Sequence, residues 1–169
     1  FIYQCSKLYV TNDPLSYFQR TQPLITETGL INQNLAGMRF FYITLDRGKA
    51  KAFHEPENLE KLRKIQDFVD KQGGFDASIS LADYIAMVNQ EFNHGDERFF
   101  RIPEQQKLVA QYLLFFQRRD LENYVSHDFS RACIMVRHHI SDSSRLNDYI
   151  RELKTVVPEM AGPDMKTQV

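Results

Sequence analysis

The chain has 169 residues, of which 43% are hydrophobic and 25% are charged, and its formal net charge is −1. A chain of this length can bury a core without disulfides or a structural metal. Its balanced charge provides no basic surface that could follow a phosphate backbone, which argues against nucleic-acid binding. The longest apolar runs, at 112–116 and 132–136, fall far short of the ~20 residues that cross a bilayer.

The first third of the chain predicts a turn, a helix and a strand. Asp13-Pro14, within NDPLSYF at 12–18, favours a turn because proline fixes its own φ and keeps the preceding residue out of the helical region. An early proline, roughly helical apolar spacing and Gly37 predict a helix over 21–37. Aromatic and β-branched residues at 39–45 predict a central strand.

The middle of the chain alternates between helices and strands. Glu55-Pro56 opens a clear amphipathic helix that the glycine pair at 73–74 closes. Residues 75–79 predict a strand that returns beside the first one. Ser80 and Asp83 match a capping box that begins a helix ending before residue 93. Pro103 suits the first turn of another helix, running to about residue 118.

The last third predicts two further strands, a helix and the start of a fourth strand. Tyr124-Val125 and residues 131–140 suit a hairpin around a polar turn at 127–128. Residues 141–144 supply caps for a helix that Pro158 is expected to break. Residues 165–169 are expected to begin the last strand. The predicted class is α+β: a ferredoxin-like split β-α-β sheet with helices on one face and an inserted helical pair at about 80–118.

Candidate catalytic and metal-binding groups do not assemble from the sequence. Adjacent residues in Ser126-His127-Asp128 cannot aim their side chains in series, so we interpret them as a turn. Two neighbouring histidines, His138 and His139, point to opposite faces of a strand and cannot share an ion. Neither metal-ligand spacing nor a glycine-rich phosphate loop is present. We therefore predict neither an enzyme nor a cofactor.

The two cysteines, Cys5 and Cys133, are too few for a disulfide framework. Cys133 lies in an apolar run and is interpreted as a small buried hydrophobe. A disulfide bond between Cys5 and Cys133 is the alternative if the protein lies in an oxidising compartment.

The segment from 84 to 116 carries more apolar side chains than one helical stripe explains. Leu108, Val109, Tyr112, Leu113, Phe115 and Phe116 cover about 160° of a helical wheel at a 100° step, and Leu114 falls outside even that arc, so these residues could form an apolar cleft where the inserted helices meet the sheet. The alternative is a helix buried on all sides, without a ligand. The candidate ligand-binding residues are Tyr84, Met87, Phe92, Phe99, Phe100, Leu108, Tyr112, Phe115 and Phe116.

The order of these signals resembles a known family. NDPLSYF at 12–18, LAG at 35–37, EPENLEKL at 55–62, SLADYI at 80–85, IPEQQKLVAQYLL at 102–114 and RACIMVRHHISDSSRL at 131–146 resemble the first large extracytoplasmic loop of RND-superfamily (MMPL-like) permeases. The resemblance covers nearly the full chain and depends on the order and spacing of the motifs.

The resemblance implies a periplasmic porter domain of a bacterial inner-membrane, proton-driven carrier of hydrophobic or amphiphilic molecules. Residues 1–20 would be a membrane-proximal segment and 21–169 the porter-like domain. The partners implied are a lipid cargo, the transmembrane helices and second periplasmic loop of the same transporter, and periplasmic proteins. Such families move drugs, hopanoids and sterols, and the aromatic inventory favours a rigid polycyclic lipid whose headgroup meets a tyrosine hydroxyl. The alternative is an assembly domain that docks partner subunits without binding cargo.

Overall fold

Four strands form one antiparallel sheet in a computed structural model of the chain, which describes residues 37–169. The strands are β1 (Arg39–Asp46), β2 (Ala77–Ser80), β3 (Arg131–His138) and β4 (Lys166–Gln168), in the order β2-β3-β1-β4. Strand β1 pairs along its whole length with β3, and at its end with β4. The predicted turn at 12–18, the helix predicted from residue 21 and Cys5 lie outside the described residues.

Alternation along the two central strands decides which face of the sheet is buried. Ile43 and Leu45 of β1 and Ile134 and Val136 of β3 are completely buried on one face, because successive side chains of a strand point to opposite sides. Phe40 of β1 points to the other face and is 57% exposed. The sheet therefore has an inner face that packs on the core and an outer face that carries exposed apolar side chains.

Within residues 37–169, five α-helices accompany the sheet: α1 (Pro56–Lys71), α2 (Leu81–Phe92), α3 (Gln106–Leu113), α4 (Arg118–Leu121) and α5 (Ser143–Ala161). Helix α1 contacts β2, β3, α2 and α5, and α5 also contacts β4. Their buried side chains belong to the same cluster as the inner face of the sheet. The described part of the chain is thus an α+β domain, which confirms the predicted class at that level.

Close approach of the chain explains two of the glycines. A Cβ at Gly37 would lie 2.0 Å from the carbonyl carbon of His138, and one at Gly74 would lie 2.4 Å from the Tyr149 ring. Any side chain at either position would collide with its neighbour. These glycines let the start of β1 and the end of α1 pack tightly against β3 and α5.

Several predicted elements are confirmed. Strand β1 is central, α1 begins at Pro56, α2 begins after the capping box at Ser80, and β4 occupies the predicted last strand. The predicted strand over 75–79 is observed at Ala77–Ser80, but it pairs with β3, so β3 separates it from β1. The expectation that it lies beside the first strand was wrong, because β3 provides the longer continuous partner for β1.

Three predicted boundaries were wrong. The helix expected from Pro103 to about residue 118 is only α3, because residues 100–105 run in irregular conformation with Ile102 buried beneath them. Helix α5 passes Pro158 and ends at Ala161, since Val157 and Ala161 continue its buried stripe. The hairpin strand expected at Tyr124-Val125 is a single bridge between Val125 and Ala132, because β2 occupies the rest of that edge of β3.

Candidate functional site

A cleft of about 450 Å³ opens between α2, α3 and the segment that connects them. This volume falls in the range of small-molecule pockets, roughly 300–1,000 Å³. The described lining combines aromatic and aliphatic side chains with amides and two charged groups. The lining residues are Asn89, Phe92, Asn93, Phe99, Arg101, Pro103, Glu104, Gln105, Leu108 and Tyr112.

The start of α2 is fixed by a buried polar network. The hydroxyl of Ser80 accepts from the N–H of Ala82 at 3.1 Å, and Asp83 accepts from the N–H of Ser80 at 2.8 Å, which completes a capping box. Gln66 of α1 accepts from the Ser80 hydroxyl at 2.6 Å and donates to Asp83 at 2.8 Å. These bonds join α2 to α1, so one wall of the cleft is anchored to the core.

Asn89 joins the three parts of the site. Its amide nitrogen donates to the carbonyl oxygens of Phe99 at 2.8 Å and Arg101 at 3.1 Å. Its amide oxygen accepts from the hydroxyl of Tyr112 at 3.0 Å. The side chain is only 5% exposed, so these bonds are shielded from water and hold the connecting segment and α3 against α2.

The connecting segment is shaped by local backbone chemistry. His94 and Gly95 have φ of 63° and 73°, which turns the chain sharply after α2. The carboxylate of Asp96 then accepts from the N–H of Arg98 at 3.0 Å and caps the short 3-10 helix Glu97–Phe99. After this short helix, the ring of Phe100 lies 5.2 Å from the guanidinium of Arg63, a residue of α1. This cation–π contact holds Phe100 against α1.

Aromatic stacking builds the apolar wall of the cleft. The rings of Phe92 and Tyr112 stack with centroids 5.5 Å apart, and Phe115 lies 5.1 Å from Phe92 on the solvent side. Phe92 remains 56% exposed and Leu114, beside Phe115, is 83% exposed. The wall therefore continues onto the protein surface, where exposed apolar area is a mark of a binding site.

Four of the nine predicted ligand-binding residues line this cleft: Phe92, Phe99, Leu108 and Tyr112. Phe115 extends the wall outside it. Tyr84 and Phe116 pack against each other at 5.5 Å, and Tyr84 also packs against Tyr124. Met87 is exposed but does not line the cleft, and Phe100 contacts Arg63 instead.

The position of Phe115 and Phe116 corrects the helical-wheel argument. Helix α3 ends at Leu113, and the N–H groups of residues 114–116 bond to carbonyls three positions back. These two phenylalanines therefore lie in a tightened turn, where a 100° step no longer applies. The apolar arc on the helical wheel is wide because the wheel combined residues of a helix with residues of the turn that follows it.

Sequence reasoning missed the polar residues of the site, Asn89, Asn93, Arg101, Glu104 and Gln105, and it also missed Pro103. One signal was available. Asn89 stands four residues after Ile85 in the buried stripe of α2, and a polar residue in such a stripe requires a partner. The other residues lie near or beyond the end of α2, where no periodicity exists to place them.

The letters of a catalytic triad at 126–128 form a turn, as predicted. Ser126 donates to Asp128 at 2.8 Å, and Ser130 donates to the same oxygen through both its hydroxyl and its N–H. Hydrogen bonds from Ser126 and then Ser130 lower the pKa of Asp128 to about 2. His127 is exposed beside them. The carboxylate therefore organises the turn and does not orient the imidazole.

The two adjacent histidines occupy different environments, as the strand geometry predicts. His138 is buried against the rings of Phe41 and Phe75. Burial, followed by the charge of Arg39, lowers the pKa of His138. His139 is exposed, and its Nδ1 lies 2.6 Å from a carboxylate oxygen of Asp76. Within residues 37–169, no three histidine, cysteine or acidic side chains come together as metal ligands.

Cys133 carries a free thiol on the outer side of the sheet. The thiol donates to the carbonyl of Asn123 at 3.0 Å, and burial raises its pKa to about 11. Such a thiol is almost entirely protonated near neutral pH and is a poor nucleophile. The sequence predicted a small buried hydrophobe at this position, and the structure shows a side chain that is partly buried.

Comparison of the chain with protein-family models, with curated proteins and with solved structures finds no match in any of the three. None of the helices within the described range is both long and apolar enough to pass through a bilayer. The geometry of the cleft is therefore the main structural indication of function.

Proposed function

We propose that this domain binds an amphiphilic molecule in the cleft between α2 and α3. The observation that carries the proposal is a preformed opening of about 450 Å³ whose wall contains the stacked rings of Phe92 and Tyr112. Removing apolar ligand surface from water stabilises such a complex by ~25 cal/mol per Å², and a preformed wall keeps the ordering cost low.

We further propose that the domain is the periplasmic porter module of a bacterial inner-membrane RND-type transporter. The sequence resemblance motivates this assignment. The order β1-α1-β2, a helical insertion, then β3-α5-β4, with strands arranged β2-β3-β1-β4, supports a ferredoxin-like split β-α-β fold for it. In this proposal the remainder of the transporter supplies the proton-driven motor, and the cleft holds hydrophobic or lipidic cargo such as a sterol or hopanoid.

An assembly role is the second candidate, and the outer face of the sheet favours it. Phe40 and Tyr42 alternate along β1 and are exposed on this face, and Met38, just before the strand, is exposed as well. Large apolar side chains in a row on a sheet commonly mark a surface that another protein covers. In this alternative the domain docks a partner subunit or periplasmic protein through the outer face, without cargo in the cleft.

A matched pair of substitutions separates the two functions. Phe92 in the cleft and Phe40 on the outer face are 56% and 57% exposed, so alanine removes a similar apolar area at either site. Titration with Nile red, a neutral solvatochromic dye, should show Phe92→Ala weakening binding about tenfold and Phe40→Ala leaving it nearly unchanged. Equal effects of the two substitutions, or no saturable binding, would contradict the cleft proposal.

The assembly alternative has its own measurement. If the outer face docks another protein, Phe40→Ala should reduce association with the remaining parts of the transporter in sedimentation experiments, whereas Phe92→Ala should not. If Phe92→Ala reduced this association and Phe40→Ala did not, the outer face would not be the docking surface.

A further inference from the structure

The sequence predicts that a tyrosine hydroxyl binds the headgroup of the ligand, but the tyrosine hydroxyl in the cleft already has a hydrogen-bond partner within the protein. The hydroxyl of Tyr112 is buried and donates to Asn89 at 3.0 Å. Redirecting it toward a ligand would break this buried hydrogen bond and leave the amide oxygen of Asn89 without it inside the protein, which is unfavourable. A headgroup must therefore find its partner elsewhere in the cleft.

Arg101 is the cationic side chain that lines the cleft. Its guanidinium lies 5.8 Å from the centre of the Phe99 ring, which orients the planar group by a cation–π contact. Within residues 37–169 it has no carboxylate within 4.0 Å, whereas nearby Arg98 is ion-paired with Asp96. Arg101 thus retains donor groups for a ligand beside an aromatic wall.

The backbone beneath Arg101 is held in place before any ligand binds. Its carbonyl accepts from Asn89 at 3.1 Å, and its N–H donates to the carbonyl of Phe99 at 2.7 Å. Phe100, between them, lies against the guanidinium of Arg63. The base of the arginine side chain is therefore fixed, which reduces the entropy lost when its guanidinium binds an anion.

Glu104 is the opposing charge in the same lining. Its carboxylate repels an anionic headgroup and reduces the field of Arg101 at the cleft mouth. Removing the charge of Glu104 should therefore change anion binding in the opposite direction to removing the charge of Arg101.

We propose that the cleft selects an anionic amphiphile, with the carboxylate or phosphate headgroup on Arg101 and the apolar chain along Phe92, Leu108 and Tyr112. This inference rests on the proposed ligand-binding function and adds a substrate class to it. A guanidinium matches both oxyanions because its fork of N–H groups can donate two parallel hydrogen bonds. The favoured cargo is thus an acidic lipid, in place of a neutral polycyclic one.

The experiment compares three probes that share one alkyl chain: dodecanoate and dodecyl phosphate, each below its micelle concentration, and neutral dodecanol, below its solubility limit. Calorimetric titration of the purified chain should show the anionic probes binding about tenfold more tightly than dodecanol, with the difference shrinking at high salt. The relative affinity of the carboxylate and phosphate probes identifies which headgroup the site prefers.

Three variants make the result specific to this site. Arg101→Gln should remove the preference for the anionic probes over dodecanol, so that all three probes bind with similar affinity. Glu104→Gln should strengthen anion binding a few fold, because a repulsive charge is removed. Arg98→Gln is the matched control: it removes an equal charge from an exposed arginine that is already ion-paired, and it should leave the preference intact.

The outcomes separate this inference from the function on which it rests. If dodecanol and Nile red bind in a manner that depends on Phe92 but all three probes have equal affinity, anion selection is overturned and the binding function survives. An equal loss of preference in Arg98→Gln and Arg101→Gln also overturns it, because the effect would then be one of net charge. If none of the probes binds, both proposals fail.

Discussion

The layer formed by the sheet with α1 and α5 and the region from α2 to α4 are held together in different ways. In the first, completely buried aliphatic side chains such as Ile43, Leu62 and Leu153 make up the contact between layers. In the second, buried aliphatic side chains such as Ile85 and Val109 also contribute, but a few polar side chains, with Asn89 at their centre, fix two helices around an opening. The difference shows that a rigid layer can carry a region whose shape depends on individual hydrogen bonds.

The largest expected effect tests the first half of this comparison. Ile43→Ala should lower the free energy of unfolding by about 3 kcal/mol, because it removes buried methyl groups and leaves a cavity at the centre of the sheet. Leu114→Ala, at a position that is 83% exposed, is the control and should change stability by less than about 0.5 kcal/mol. Urea denaturation measures both, and similar values would contradict the assignment of the core.

A smaller loss, of about 2 kcal/mol, is expected for Asn89→Leu, because it leaves Tyr112 and two backbone carbonyls without their partner. Unlike Ile43→Ala, it should also weaken ligand binding at temperatures where the protein remains folded. Adding Tyr112→Phe should recover part of the stability, since the orphaned hydroxyl is then absent. A double variant no more stable than the single one would show that Asn89 does not act through this tyrosine.

The smallest expected effect is a dependence of stability on pH in the first region. Burial and Arg39 lower the pKa of His138, and Asp76 opposes the shift. The unfolded chain, with a histidine pKa near 6.5, therefore takes up the proton first as pH falls. This contribution to stability is present above pH ~6.5 and is lost as the pH drops through the interval down to the lowered folded pKa.

His138→Leu should reduce the acid loss of stability between about pH 7 and pH 5 without abolishing it, because burial and then the charge of Lys51 also lower the pKa of His54. His127→Leu, at an exposed histidine, is the control and should retain the slope. Asp128 is no confounding factor, because hydrogen bonds from Ser126 and Ser130 place its pKa near 2, and its own effect begins at lower pH. An unchanged slope in His138→Leu would assign the acid sensitivity to another group.

The same contrast explains what the sequence could predict. Strands β1 and β3, helices α1 and α2 and the short strand β4 follow from apolar periodicity, capping residues and turn signals, all of which act between neighbours in the chain. The order of the strands in the sheet depends on contacts between distant segments. In the observed order, β3 lies between β2 and β1, whereas the sequence had predicted that β2 lies directly beside β1.

The cleft was predicted only by its apolar half. Phe92, Phe99, Leu108 and Tyr112 were identified because aromatic and aliphatic residues accumulate visibly in this segment. Arg101 and Glu104 lie in irregular chain, and their place in the site depends on bonds from Asn89 to backbone carbonyls ten and twelve residues away. No periodic pattern encodes such bonds, so a three-dimensional description was needed to find them.

The central claim, that ligand binds between α2 and α3, is tested most directly by mapping amide chemical-shift changes as dodecanoate is added to the isotope-labelled chain. The account predicts saturable shifts concentrated at Phe92, Asn93, Arg101 and Leu108, with the outer-face residue Phe40 unaffected. Shifts concentrated around Phe40, or none that saturate, would contradict it.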